Sequence, residues 1–168
     1  MSYTQHQAEA EPVVARAAVV TLSDTRTEAT DVSGQLIRRL VAEAGHAVTR
    51  YHLIPDEPAD LEALLHELLG HPEVDVVLTN GGTGVSARDQ TIDVVHRLLD
   101  KPLPGFGELF RMLSWEQVGS GAMLSRAAGG VARGRLLFAM PGSSKAVELA
   151  MTRLVLPELK HLLRELRK

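Results

Sequence analysis

The sequence predicts an α/β fold: a mostly parallel sheet with helices on both faces. Two observations carry this expectation. Short apolar runs alternate with segments of helical period along most of the chain. The central run, Val74-Asp75-Val76-Val77-Leu78, is nearly all apolar, as expected for a strand covered on both faces.

The elements follow in order. Residues 15–22 (ARAAVVTL) read as a buried strand. Val32, Leu36, Ile37, Leu40 and Val41 then recur at helical spacing, with Asp31 placed to cap the helix and Gly45 to end it. Residues 46–54 read as a second strand, stopped by Pro55-Asp56-Glu57-Pro58. Leu61, Leu64, Leu65, Leu68 and Leu69 mark the next helix, and residues 74–78 the third strand. A helix is expected from Thr91 to Leu99 and another around Phe106, Phe110 and Leu113, where the aromatic pair packs. Residues 135–140 (RLLFAM) make a fourth strand. The chain then reads as helical from Ser143, with a break or kink expected at Pro157. Leu154, Val155, Leu159, Leu162, Leu163 and Leu166 form a stripe suited to the core or to a subunit interface.

Composition narrows the class. The 168 residues suit one domain, and the 45% hydrophobic content excludes a disordered chain. The absence of cysteine excludes disulfides and thiolate metal sites. A net charge of −3 argues against nucleic acid as a partner. No apolar run has the length of a membrane span. Residues 1–12 (MSYTQHQAEAEP) lack the apolar core of a secretory signal and read as a flexible polar tail. The expectation is a single domain over 13–168 in a cytoplasmic protein.

Right-handed crossovers put the ends of parallel strands, and their loops, on one rim, where ligands bind in such folds. Four polar loops should meet there: Ser23-Asp24, Pro55-Asp56, the stretch from Asn80 to Asp89, and Pro141-Gly142-Ser143-Ser144. Gly81, Gly82 and Gly84 crowd the third. They serve either a tight turn or an anion-binding nest of backbone N–H groups. Gly82-Thr83-Gly84-Val85-Ser86-Ala87 also matches the dinucleotide fingerprint G-x-G-x-x-A, but it follows the third strand rather than the first, and a nicotinamide oxidoreductase ranks third. Gly142-Ser143-Ser144-Lys145 lacks Walker A spacing. Asp24, Asp56 and Asp89 should converge on the rim. Each can serve as a loop cap. Together, beside a nest for anions, they suit a divalent cation shared with phosphate. His66 and His71 show no ligand spacing, and no G-x-S-x-G supports a hydrolase.

Several segments in order resemble the MoaB/Mog family of molybdenum cofactor biosynthesis proteins. They are Thr21-Leu22-Ser23-Asp24, Leu53 to Glu57, Leu78 to Gly84 with Arg88-Asp89, Gly105 to Arg111, Leu124 to Ala127, and Ala139 to Ser143. The resemblance runs from about Arg16 to about Leu163, and the stretch Gly105 to Trp115 is similar to the MoaB branch. It implies a three-layer α/β/α sandwich and a homo-oligomer, a trimer or a dimer of trimers. It implies molybdopterin adenylyltransferase activity: molybdopterin and ATP, with Mg²⁺, give adenylyl-molybdopterin and pyrophosphate. The alternative is a non-catalytic molybdopterin-binding or carrier protein. By resemblance, Asp56 and Asp89 are the catalytic and metal-holding carboxylates, and Thr83 and Ser125 are hydroxyls of the pterin and nucleotide site. Ser23, Asp24, Gly81, Gly82, Gly84, Arg88, Pro141, Gly142 and Ser143 complete the expected binding set. Asn80 stands where the family often carries a small hydroxyl residue.

Overall fold

The computed structural model describes residues 13–168, so the tail expected over 1–12 lies outside it. Its strands are β1 (Arg16–Leu22), β2 (Ala47–Ile54), β3 (Val76–Asn80), β4 (Lys101–Pro102), β5 (Ala128–Ala132) and β6 (Arg135–Met140). Its helices are α1 (Val32–Glu43), α2 (Pro58–Gly70), α3 (Thr91–Leu98), α4 (Pro104–Val118), α5 (Ser144–Ala150) and α6 (Leu156–Leu166). The strands form one sheet in the order β2-β1-β3-β6-β5-β4. The first four in that order are parallel, while β5 runs antiparallel to both β6 and β4.

Alternation along the strands builds two cores. Val19, Leu78 and Phe138 face α1, α4 and the C-terminal helices, meeting Ile37, Phe110, Val155 and Leu159. Val20, Val77 and Leu137 face the other way, onto Leu61, Leu65, Ile92 and Val95 of α2 and α3. The result is a three-layer α/β/α sandwich. Val155, Leu159 and Leu163 are buried, and Leu154, Leu162 and Leu166 pack partly on the same core, so the C-terminal stripe belongs to the fold.

The ends of α1 follow the sequence. The Asp31 side chain accepts from the Gly34 N–H, and Gly45 closes the helix with φ +78°. Pro157 does not end its helix. The preceding turn widens into a π segment, Met151–Val155, and the helix continues as α6 with Pro157 in its first turn. The antiparallel edge was not expected. The β5 strand, AGGVA, carries two glycines that weaken any strand pattern, and β4 has only two residues. Those glycines answer to close packing. A Cβ at Gly129 would lie 2.3 Å from the Phe138 ring, and one at Gly130 would lie 2.3 Å from the Lys101 carbonyl oxygen.

Topology fixes where a ligand can sit. From β1 the chain crosses through α1 to β2 on one side, then through α2 to β3 on the other. The order therefore reverses at the β1/β3 boundary, and the carboxyl ends of these strands open a crevice. Among the described residues, no helix is long and apolar enough to cross a membrane.

Candidate functional site

Beneath the crevice lies a buried polar knot. Asn80, the last residue of β3, donates to Thr21 Oγ1 (2.9 Å) and accepts from the Ser33 hydroxyl (2.9 Å). Asn80 thus ties β1, β3 and α1 together rather than facing the rim. Asp31 sits in the same knot, fully buried, and accepts from the Gly34 N–H (3.0 Å) and the Tyr51 hydroxyl (2.8 Å). Desolvation pushes its carboxyl up. The hydroxyls of Thr21, Tyr51 and Ser33 and the Gly34 N–H outweigh that and hold it below the usual carboxylate range.

Above the knot, the strand-end loops bring the predicted residues together. The Asp24 carboxylate accepts from the Asp56 N–H (3.0 Å) and pairs with Arg88 Nη2 (2.9 Å). The same Arg88 nitrogen reaches Glu57 at 3.3 Å, so Arg88 braces three loops. The exposed pair itself contributes little to stability, on the order of 0–1 kcal/mol. Ser23 is turned inward on its own loop, accepting from the N–H groups of Thr25 (3.3 Å) and Arg26 (3.1 Å).

Gly81 and Gly82 have φ of +107° and +62°. A Cβ at Gly81 would lie 2.5 Å from the Leu22 carbonyl oxygen. One at Gly82 would lie 2.2 Å from Thr91 Oγ1 and 2.9 Å from Asp56 Oδ1. Asp56 is therefore packed directly on the glycine turn. Its carboxyl is raised, first by desolvation and then by the charges of Asp24 and Asp89, with Arg88 opposing only in part. Among the described residues its side-chain oxygens accept no hydrogen bond.

Asp89 differs. Its Oδ2 accepts from the Ser86 N–H (2.9 Å) and lies 2.9 Å from where a Cβ at Gly84 would stand. The Ser86 side chain lowers its pKa, against desolvation, helped by the N–H groups of Ser86 and Gly84 and by Arg126. One amide of the expected anion nest, that of Gly84, and the neighbouring Ser86 amide thus already face an anion, the protein's own. The Gly81 N–H closes on the Met140 carbonyl (3.1 Å).

Three other predicted residues, Ser125, Pro141 and Ser143, line a neighbouring cleft of about 980 Å³, while Thr83 and Gly142 do not. The three rim carboxylates are not among its lining residues. Two contacts join the halves. Gly142 packs so closely on the glycine loop that a Cβ there would lie 3.3 Å from the Gly81 Cα. The Arg126 N–H donates to the carbonyl of Thr83, itself buried (3.1 Å). Ser143 caps α5 by accepting from the Ala146 N–H (3.2 Å).

Against this geometry, residues 18–161 match a family described as "Probable molybdopterin binding domain". The chain belongs to the MoaB/Mog family of molybdenum cofactor biosynthesis proteins. It is 53% identical over 169 residues to Molybdenum cofactor biosynthesis protein B of Bacillus cereus, covering 100% of this chain and 99% of that protein. It is 47% identical over 169 residues to the protein of the same name in Bacillus subtilis, with the same coverage. A crystal structure of a Molybdenum cofactor biosynthesis protein B superposes with a TM-score of 0.91 at 54% identity, covering 93% of this chain and 98% of that one. The tungsten cofactor synthesizing protein MoaB from Pyrococcus furiosus gives a TM-score of 0.84 at 34% identity, covering 94% and 99%.

Two residues of this MoaB/Mog domain were missed in the sequence. Thr91 is buried, and among the described residues its hydroxyl has no hydrogen-bond partner where it packs on Gly82. Its only signal is its place at the first turn after the glycine loop. Arg126 grips that loop through several bonds. Its signal is a lone cation between Ser125 and the small apolar residues of β5.

The residues also bear on Mg²⁺. Among the described residues, no group of three or more His, Cys, Asp or Glu side chains is arranged to hold a metal by itself. Mg²⁺ bound with phosphate needs only one or two carboxylates. Asp56, free of donors and crowded by like charge, fits that role, and Asp89 is near enough to raise its pKa.

Proposed function

We propose that this MoaB/Mog protein binds molybdopterin and adenylylates it with Mg-ATP, releasing pyrophosphate. The observation that carries the reading is Asp56: a half-buried carboxylate without hydrogen-bond donors among the described residues, near Asp24 and Asp89, packed on a glycine turn at the sheet's reversal point. A site that crowds acids in this way gains when a cation neutralises them.

In the proposed reaction, the terminal phosphate oxygen of molybdopterin attacks the α-phosphorus of ATP in line. A new P–O bond forms, the bond to the β-phosphate bridge breaks, and pyrophosphate carries off the electron pair. The nucleophile is already ionised at neutral pH, so the residues need not remove a proton. Their task is to position two anions. Asp56, with Asp89, would hold Mg²⁺, which supplies charge neutralisation when bound. The turn at Gly81, Gly82, Thr83 and Gly84 would take a phosphate. The cleft at Ser125, Pro141 and Ser143 would take the bulkier part of a substrate, with Gly142 packed between it and the glycine loop, and its volume lies within the range of small-molecule sites. Arg88 and Asp24 act as braces, since each is already engaged by the other.

The same reading extends to a homo-oligomer in the cytoplasm, a trimer or a dimer of trimers. Leu109, Met112, Trp115 and Val118 recur on α4 with 46% to 63% of their surface exposed, an apolar stripe suited to a second copy.

A non-catalytic molybdopterin-binding or carrier role is the second reading. It is favoured by the internal engagement of Asp24, Arg88 and Asp89. Incubating the protein with molybdopterin, ATP and Mg²⁺ decides between the two. Pyrophosphate released in step with adenylyl-molybdopterin supports the transferase; molybdopterin binding without pyrophosphate supports the carrier.

A further inference from the structure

Arg126 lies between the 3₁₀ turn Gly119–Leu124 and β5, on the antiparallel side of the sheet, yet nearly all its polar contacts are with the glycine loop and α3. Its backbone N–H donates to the Thr83 carbonyl (3.1 Å), and its Nε donates to the Gly84 carbonyl (2.9 Å). Nη2 donates to the Asp89 carbonyl. Asp93, on α3, accepts from Nη1 and Nη2, both at 3.1 Å, and so holds the guanidinium from behind. The side chain is partly buried, and the planar fork meets two carbonyls and a carboxylate at once.

Two carbonyl oxygens, those of Gly84 and Asp89, are thereby turned toward one cation, and a third, that of Thr83, toward the backbone N–H of the same residue. Without a brace the peptide planes on either side of Gly84 rotate at little cost, because glycine tolerates both signs of φ. A rotated plane points a carbonyl oxygen, and its negative partial charge, at the place where an anion has to bind. We infer that Arg126 is a positioning residue: it fixes the peptide planes of the Thr83 to Asp89 loop so that their carbonyl oxygens face away from the bound phosphate. Its backbone bond to Thr83 also sets Ser125, one residue before it, against the loop. This rests on the phosphate-binding reading of the loop.

The test compares Arg126→Met, which keeps the length and removes every side-chain donor, with Arg126→Lys, which keeps the charge and the pairing with Asp93. Amide hydrogen exchange, melting temperature and ATP affinity with Mg²⁺ are measured for both and for the unaltered chain. In Arg126→Met, amides of residues 83–90 should exchange at least tenfold faster while those of β1, β3 and β6 keep their rates. ATP affinity should fall at least tenfold. Arg126→Lys should resemble Arg126→Met in both, since one ammonium cannot replace the fork. Exchange rising equally over the whole chain would show a merely structural residue. Unchanged loop exchange, or full recovery in Arg126→Lys, would also overturn the assignment. If the unaltered chain binds no ATP, the phosphate reading fails, and loop exchange still decides whether Arg126 holds the loop.

Discussion

Asp31 under the rim is fully buried, whereas Asp56 on the rim is only half-buried. Depth alone would drive Asp31 the further toward its neutral form. The reverse holds. Asp31 is surrounded by three hydroxyls and a backbone N–H, which keep it ionised, while Asp56 has acids for neighbours, Arg88 as a partial counter-charge and, among the described residues, no hydrogen-bond donor. The number of donors, not the depth, sets the charge. The knot around Asp31 is complete without a ligand and reads as structure. The cluster around Asp56 is incomplete and is relieved by a cation, which is how a binding site differs from a brace.

The largest expected effect breaks the knot. Asp31→Ala removes the cap of α1 and leaves the Tyr51 and Thr21 hydroxyls and the Gly34 N–H, with Arg26 nearby, short of an acceptor. The cost should be about 3–5 kcal/mol, as for a broken buried charge pair. Thermal melts measure it, and a variant that melts with the unaltered protein would erase the contrast between the two regions.

A smaller effect sharpens the rim. Gly45 and Gly82 both have positive φ, but a Cβ at Gly45 meets nothing within 4 Å while one at Gly82 meets Thr91 and Asp56. Gly45→Ala should cost roughly 1 kcal/mol of backbone strain and leave ATP affinity unchanged. Gly82→Ala should cost more and displace Asp56, so its affinity for Mg-ATP should drop well beyond what its melting temperature explains. Equal affinities in the two variants would mean that the loop only turns the chain.

The smallest effect is on pH. Asp31 has a depressed folded pKa, so its stabilisation is present above the ordinary carboxylate value and is lost as pH falls through the folded value. Asp56 has a raised folded pKa, so charging it costs stability as pH rises from the ordinary value through the raised one. Partial exposure screens that cost. Asp56→Asn should therefore melt slightly higher than the unaltered protein at neutral pH, with the gap closing in acid. A gap of opposite sign would place a donor near Asp56.

Much of this was legible in the sequence. Asp31 and Gly45 bounded α1 because capping chemistry is local. The parallel strands showed as apolar runs, and their shared direction placed Asp24, Asp56 and Asp89 on one rim. β5 was hidden because Gly129 and Gly130 answer to Phe138 and Lys101, contacts distant in the chain. The π segment before Pro157 was hidden because helix widening leaves no periodic trace over five residues. Asn80 looked like part of the loop, yet its partners Thr21 and Ser33 lie far away in sequence. Arg126 was missed for the same reason: its loop partners are 37 to 43 residues distant.

Pyrophosphate formation from molybdopterin and Mg-ATP, measured for the unaltered chain and for Asp56→Asn beside their melting temperatures, is the most direct test. The carboxylate on the rim is assigned to function and the one beneath it to folding. Asp56→Asn should lose turnover at least a hundredfold while melting at or slightly above the temperature of the unaltered protein. Unchanged turnover in Asp56→Asn, or a fall in melting temperature that accounts for the lost activity, would contradict that assignment.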